Sequence, residues 1–188
     1  MRKNLGAKAY TYPQPVFILA AYGEDGTPNA MNAAWGGISN DTEISFCLAR
    51  THKTVANLKK TGAFTVSMAT VDQLAACDYL GLVSGNQVPD KVARAGFHTE
   101  KSSRVNAPVI AELPMVLECR VKSYDEENER LVGEILNVSA DESILTDGKI
   151  DPAKLRPLVL DPVNHTYLVA EQAVGKAFAH TKAPGEIK

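Results

Sequence analysis

The sequence predicts a mainly β fold, an antiparallel β-barrel or sandwich with a few small peripheral helices. Short strand-type runs outnumber helical ones. Most of them follow one another as hairpin neighbours, whereas parallel crossovers would place a helix between each pair. The 188 residues, 45% of them hydrophobic, are enough to bury a sizeable core in one domain, read here as residues 1–188, without disulfides.

The elements follow from local patterns. Val16-Phe17-Ile18-Leu19-Ala20-Ala21-Tyr22 is short, apolar and strand-favouring, and Gly23-Glu24-Asp25-Gly26 closes it as a turn. Asn29 to Trp35 reads as its hairpin partner. Glu43 to Ala49 alternates, Ile44, Phe46 and Leu48 against Ser45, Cys47 and Ala49, which is the period of a half-buried strand. Thr54 to Lys60 places Val55 and Leu58 three apart, ends in lysines and is followed by Gly62, the pattern of a short helix. Phe64 to Met68 is again a strand. Val71 to Val83 reads as a second helix with Leu74, Cys77 and Leu82 among its apolar positions. Met115 to Tyr124 and Arg130 to Ala140 are two long strands joined by an acidic turn, and Leu158–Leu160 and Thr166–Val169 are short late strands. Gly85 to Pro108 is the least regular stretch and a candidate functional loop.

Composition narrows the function. Twenty Lys+Arg against 22 Asp+Glu leave a formal charge of −2, which lacks the concentrated basic field that nucleic acid or an anionic membrane requires. The three cysteines have neither disulfide nor zinc spacing, so no metal site is expected. With no apolar segment long enough to span a bilayer, a cytoplasmic location is expected. Paired catalytic carboxylates, a Ser-His-Asp order, HExxH and a P-loop find no match, and no GxGxxG marks a dinucleotide-binding domain.

Three stretches carry chemistry. Arg50-Thr51-His52-Lys53-Thr54 precedes a helix, so cations, a hydroxyl and free helix N–H groups converge as they would on a phosphate. The same residues also read as a plain Thr54 N-cap beside a solvated charge run. Asn32-Ala33-Ala34-Trp35-Gly36-Gly37 sets the only tryptophan beside small residues, where a flat ligand can approach, or else where a core tryptophan precedes a turn. Ser84-Gly85 followed by Asp90-Lys91 is a polar loop with a lysine, or a surface turn with little core packing.

Together, Asn32-Ala33-Ala34-Trp35, Cys47-Leu48, His52-Lys53-Thr54 with Asn57-Leu58, Phe64-Thr65-Val66 and Ser84-Gly85 with Asp90-Lys91 resemble the flavin reductase-like family, in particular its flavoredoxin branch. The resemblance runs from about Tyr10 to Phe178. It implies a Greek-key FMN-binding split barrel that forms homodimers, with FMN near the subunit interface. By that resemblance, Asn32, Ala33, Ala34 and Trp35 would lie along the isoalloxazine and ribityl chain. Arg50, His52, Lys53 and Thr54 would surround the 5′-phosphate. Ser84, Gly85 and Lys91 would reach the cofactor from the loop, and His165 or Tyr167 would close the site. The family's Pro-Pro pair is replaced here by Asn40-Asp41-Thr42 before the strand at Glu43.

The activity implied is that of an FMN-dependent oxidoreductase in which the flavin does the chemistry and no side chain is an acid, base or nucleophile. NADH or NADPH is a possible co-substrate and a redox partner protein a possible alternative. A non-catalytic flavin- or haem-binding module on the same barrel is the other alternative.

Overall fold

A computed structural model describes residues 1–178. In chain order its elements are β1 (Gln14–Pro15), β2 (Phe17–Tyr22), β3 (Pro28–Ala33), β4 (Gly36–Asn40), β5 (Glu43–Cys47), α1 (Lys53–Thr61), β6 (Ala63–Met68), α2 (Leu74–Leu82, entered through a 3-10 turn at Val71–Gln73), α3 (Lys91–Arg94), β7 (Thr99–Lys101), β8 (Pro108–Ile110), β9 (Met115–Asp125), β10 (Arg130–Ala140), β11 (Leu145–Thr146), β12 (Lys149–Ile150), α4 (Pro152–Leu155), β13 (Leu158–Asp161) and β14 (Thr166–Val169). Seven strands form one antiparallel sheet in the order β3-β2-β6-β9-β10-β5-β4, curled into a half-barrel. A three-stranded sheet, β1-β13-β14, lies apart from it in the hydrogen-bonding pattern. The mainly β, antiparallel barrel expectation is met.

The β2 run is apolar throughout because both of its faces are covered. Phe17, Leu19 and Ala21 join Phe46, Phe64, Val66, Leu117 and Leu131 inside the curl. Val16, Ile18 and Ala20 face the opposite way, into a second cluster with Cys77, Leu80, Val92 and Phe97. By contrast β5 alternates, since only Ile44 and Phe46 point inward. Val55 and Leu58 bring α1 onto the inner cluster. Gly62, at φ 70°, then stops the helix by returning its N–H to the Leu58 carbonyl at 2.9 Å.

The long β9–β10 ribbon curls through two register shifts, at Val132/Gly133 and Ile135/Asn137. At Gly133 the ring of Phe64 fills the space a side chain would need.

The structure adds four details. Gly36 and Gly37 begin strand β4 and do not form a turn: Gly36 pairs with Phe46, whose ring occupies the site of a Cβ, so glycine is there for close approach. The Asn40-Asp41-Thr42 replacement simply closes the β4–β5 hairpin, with the Asp41 N–H on Asn40 Oδ1 at 2.8 Å. In α2 the buried positions are Cys77 and Leu80, while Leu82 is 79% exposed at the helix end. The irregular stretch after Gly85 contains α3 and the β7–β8 ribbon.

Adding a methyl at Gly36 would force the Phe46 ring out of the core. We expect Gly36→Ala to lower the unfolding free energy by about 1–3 kcal/mol, read as a shifted urea midpoint with an unchanged slope. An unchanged midpoint would show that the ring can move freely.

Candidate functional site

After β5 the chain turns, the His52 N–H reaching the Ala49 carbonyl at 3.1 Å, and enters α1. The N-cap is His52, not Thr54, and no side chain accepts from the free N–H groups of the first turn. The Ala56 N–H returns to the His52 carbonyl at 3.1 Å, so those of Lys53, Thr54 and Val55 have no intrahelical partner. No acidic residue sits in that turn to offset the helix dipole. Thr54 is buried inside the helix and its hydroxyl accepts from Asn29 Nδ2 at 2.6 Å. The plain N-cap alternative therefore falls.

Against this helix end lies the loop after α2. Asn86 Nδ2 donates to the Thr51 carbonyl at 3.2 Å. A side chain at position 85 would overlap Asn29 Oδ1 and come within 3.2 Å of Lys53 Cγ, so glycine permits the loop to close. Gly81 likewise lets α2 approach Asn32, whose Cβ would be 3.0 Å from an added methyl.

Lys91, expected to reach the cofactor or else to sit on a surface turn, lines the cleft and is not solvated. It is only 3% exposed, and its Nζ donates to the carbonyls of Leu80 at 2.9 Å and Val83 at 2.7 Å, capping the C-terminus of α2. Burial pulls its pKa down to about 8. Nearby His52 is lowered by burial first and by the Lys91 charge second, which keeps the imidazole neutral at neutral pH. Asn29, Asn32, His52, Lys53, Thr54, Ser84, Gly85 and Lys91 line a single cleft of about 270 Å³.

Asn32 leads out of its far end. Its Nδ2 donates to the Cys77 carbonyl at 3.2 Å, and it lies beside Tyr167. The Tyr167 hydroxyl donates to Asp78 Oδ1 at 2.7 Å; burial, then that carboxylate, push its pKa up to about 12. Tyr167, Asp78, His165 and Trp35 line a recess of about 470 Å³, and Ala34 and Trp35 line an adjoining groove of about 430 Å³. Trp35 itself is 56% exposed.

Two expected residues lie elsewhere. Arg50 is exposed, outside the lining of the cleft, with its backbone N–H on Glu129 Oε1 at 3.0 Å. The Ala33 side chain packs into the inner core, so only its backbone can face a ligand. The sequence reading missed Asn29 and Asp78. For Asn29 the signal was present: two asparagines interrupt an otherwise apolar strand. Asn29 is 3% exposed, and its Oδ1 has no hydrogen-bond partner among the described residues. Among those residues no cluster of three metal-ligating side chains occurs, and no helix is long and apolar enough to cross a membrane.

Uncapped helix N–H groups with Lys53 and Lys91 line one cleft, and an exposed tryptophan borders a neighbouring recess, on a split antiparallel barrel. The flavin reductase like domain family matches residues 9–161, and the chain belongs to that family. The flavoredoxin of Desulfovibrio vulgaris (Miyazaki F) is 34% identical, with a TM-score of 0.92 over 97% of this chain and 100% of that one. A flavoredoxin from Methanosarcina acetivorans is 27% identical, with a TM-score of 0.86 over 95% and 96%. An FMN-binding domain of a flavin reductase-like enzyme from Shewanella baltica shares the fold at 20% identity, with a TM-score of 0.77 over 87% and 89%. The comparison with curated proteins found no match. Family membership gives the chain a flavin cofactor and a flavin-based redox function.

Because Lys91 holds two α2 carbonyls, its removal touches the fold as well as the cleft. Lys91→Met should lower stability by about 1–3 kcal/mol, the cost of stranding buried acceptors, as read by denaturant unfolding of the flavin-free protein. A variant as stable as the parent would return Lys91 to a purely ligand-facing role.

Proposed function

We propose that the chain is an FMN-dependent oxidoreductase that holds the 5′-phosphate at the N-terminus of α1 and the isoalloxazine toward Trp35. The uncapped first turn of α1 carries this reading, because its free N–H groups, Lys53 and neutral His52 converge on a cleft whose lining holds no carboxylate. The donor set fits FMN. Gly85 leaves a cradle that a Cβ would fill, and Asn29 Oδ1 is an acceptor with no partner of its own. Lys53, Thr54 and the α1 N–H groups would hold the phosphate, and Ser84, Gly85 and Asn32 would flank the ribityl chain. Ala34 backbone, Trp35 and Tyr167 would border the ring. Bound FMN supplies the hydride- and electron-accepting chemistry; the chain binds it, orients it and leaves one side open at Trp35.

The donor remains part of the proposal. NADH or NADPH would make the protein a flavin reductase, whereas the likeness to two flavoredoxins favours a carrier that passes electrons between proteins. Anaerobic NADH bleaching the FMN-loaded protein at catalytic rates supports the reductase; bleaching only by a reduced protein donor supports the carrier. A homodimer also belongs to this reading. β4 is a sheet-edge strand with no charge or proline to protect it, and it exposes Ile38 beside Trp35.

FMN should bind at least about tenfold more tightly than riboflavin, since charge-assisted hydrogen bonds are worth about 1.5–3 kcal/mol each. Quenching of flavin fluorescence measures both, and equal affinities overturn the phosphate assignment. The FMN preference should also shrink as pH rises through about 8, where free Lys91 loses its proton. The sign follows from linkage: the phosphate favours the ammonium form, so above that pH binding must take up a proton.

Ile38→Lys should dissociate the dimer, read as a halved mass by light scattering. A parent protein that is already monomeric and retains FMN excludes this interface.

A further inference from the structure

The phosphate end of the cleft continues into a second hollow. This pocket of about 240 Å³ shares Asn29, Lys53 and Gly85 with the cleft and runs past them to Asp25 and Asn86. Asp25 belongs to the turn between β2 and β3, where its Oδ1 accepts the Thr27 N–H at 3.0 Å and its Oδ2 the Thr27 hydroxyl at 2.9 Å. Gly23 leaves room for that fold-back, since an added Cβ would come within 2.7 Å of Asp25 Oδ1. The carboxylate is thus fixed in place. Mainly the two Thr27 bonds, with the Lys53 charge adding to them, hold its carboxyl below the ordinary range, so it is charged at neutral pH. Glu24 beside it pairs with Lys60 and lines a different hollow. Among the described residues, Asp25 is therefore the one carboxylate on the pocket that adjoins the phosphate end.

We propose that Asp25 selects a flavin mononucleotide against a flavin dinucleotide, by setting a fixed negative charge where a second phosphate would have to leave the site. The inference deepens the FMN reading and rests on it for the place of the first phosphate. FMN ends at its monoester, which needs nothing beyond Lys53 and the α1 N–H groups. FAD carries a further phosphate, a ribose and an adenine out of that same end. There the pocket is smaller than the roughly 300–1,000 Å³ of sites that enclose a small molecule, and its carboxylate repels what enters. Total charge does not separate the two ligands, because a phosphate monoester is close to doubly ionised at neutral pH and a pyrophosphate diester carries a similar charge. Position separates them: FAD places part of its charge on the Asp25 side. Asp25 is exposed, so solvent and salt moderate the repulsion.

Calorimetric titration of the flavin-free protein with FMN and with FAD at low salt measures the selection. The parent should bind FMN at least about fivefold more tightly, the order of one like-charge contact in water. Asp25→Asn keeps an oxygen for the Thr27 N–H and removes the charge; it should raise FAD affinity roughly threefold or more and FMN affinity by less, so that the ratio narrows. Asp25→Ser holds the same turn through its hydroxyl and replaces the first variant should that not fold. Equal parental affinities, a parent that prefers FAD, or a ratio unchanged in the folded variant each overturns selection by Asp25. The two readings fail differently: a parent that binds FMN and FAD alike keeps the FMN site and loses only this inference, whereas a parent that binds neither loses both.

Discussion

The buried hydrogen bond from Asn29 to Thr54, 2.6 Å long, joins β3 to the first turn of α1, and the geometry of the cleft depends on it. Thr54 would otherwise be free to cap its own helix, as threonine near a helix start usually does. With its hydroxyl engaged by Asn29, the helix end is pinned to the sheet and its N–H groups face outward. Gly85 then seals the junction, because only a residue without a side chain can lie against Asn29 and Lys53 together. One strand, one helix and one loop are thereby locked at a point where a ligand anion can meet all three.

That arrangement has an electrostatic cost in the free protein. An uncapped helix N-terminus, Lys53 and a buried Lys91 place positive potential in one cleft with no carboxylate among its lining residues. Burial lowers Lys91 to about 8, and burial first and the Lys91 charge second hold His52 down. A bound phosphate would favour the charged form of Lys91 against that burial. Lys91 can stay there because the α2 carbonyls accept from it. The same ammonium therefore ends a helix and charges the cleft.

Much of this was legible in the sequence, and the limits were physical. β2, β5, α1 and the β9–β10 ribbon were readable because their patterns are local: a doubly buried run, an alternation, a helix with lysines and a stop glycine. β4 was not, because Gly36 is there for the Phe46 ring across the strand pair, and a glycine pair reads as a turn until that neighbour is known. That Lys91 also ends α2 was not readable, because the carbonyls it caps lie 8 and 11 residues upstream. Arg50 was grouped with the phosphate residues by adjacency and by the family resemblance, and it lies exposed outside the cleft lining. Of the candidate site, the helix end, Asn32, Ser84-Gly85 and Trp35 come together along one trough. Asn29 and Asp78 join them only through tertiary contacts.

The trough also separates two kinds of recognition. At the α1 end, discrimination comes from charge and fixed N–H groups, which hold any ligand of the right anion firmly but read little of its remaining shape. At the Trp35 end, walls are apolar or aromatic, and polar groups are few: Asp78, largely spoken for by Tyr167, His165, and Gln14. In the proposed function this division would hold FMN by its phosphate and leave its ring beside the open recess. Asn32 stands at the junction, with its amide on the Cys77 carbonyl and its flank against Tyr167. Any shift of α2 that moves Cys77 also moves Asp78, the next residue, and with it Tyr167. Asn32 and Tyr167 thus bond neighbouring residues in one turn of α2, the helix whose far end Lys91 holds.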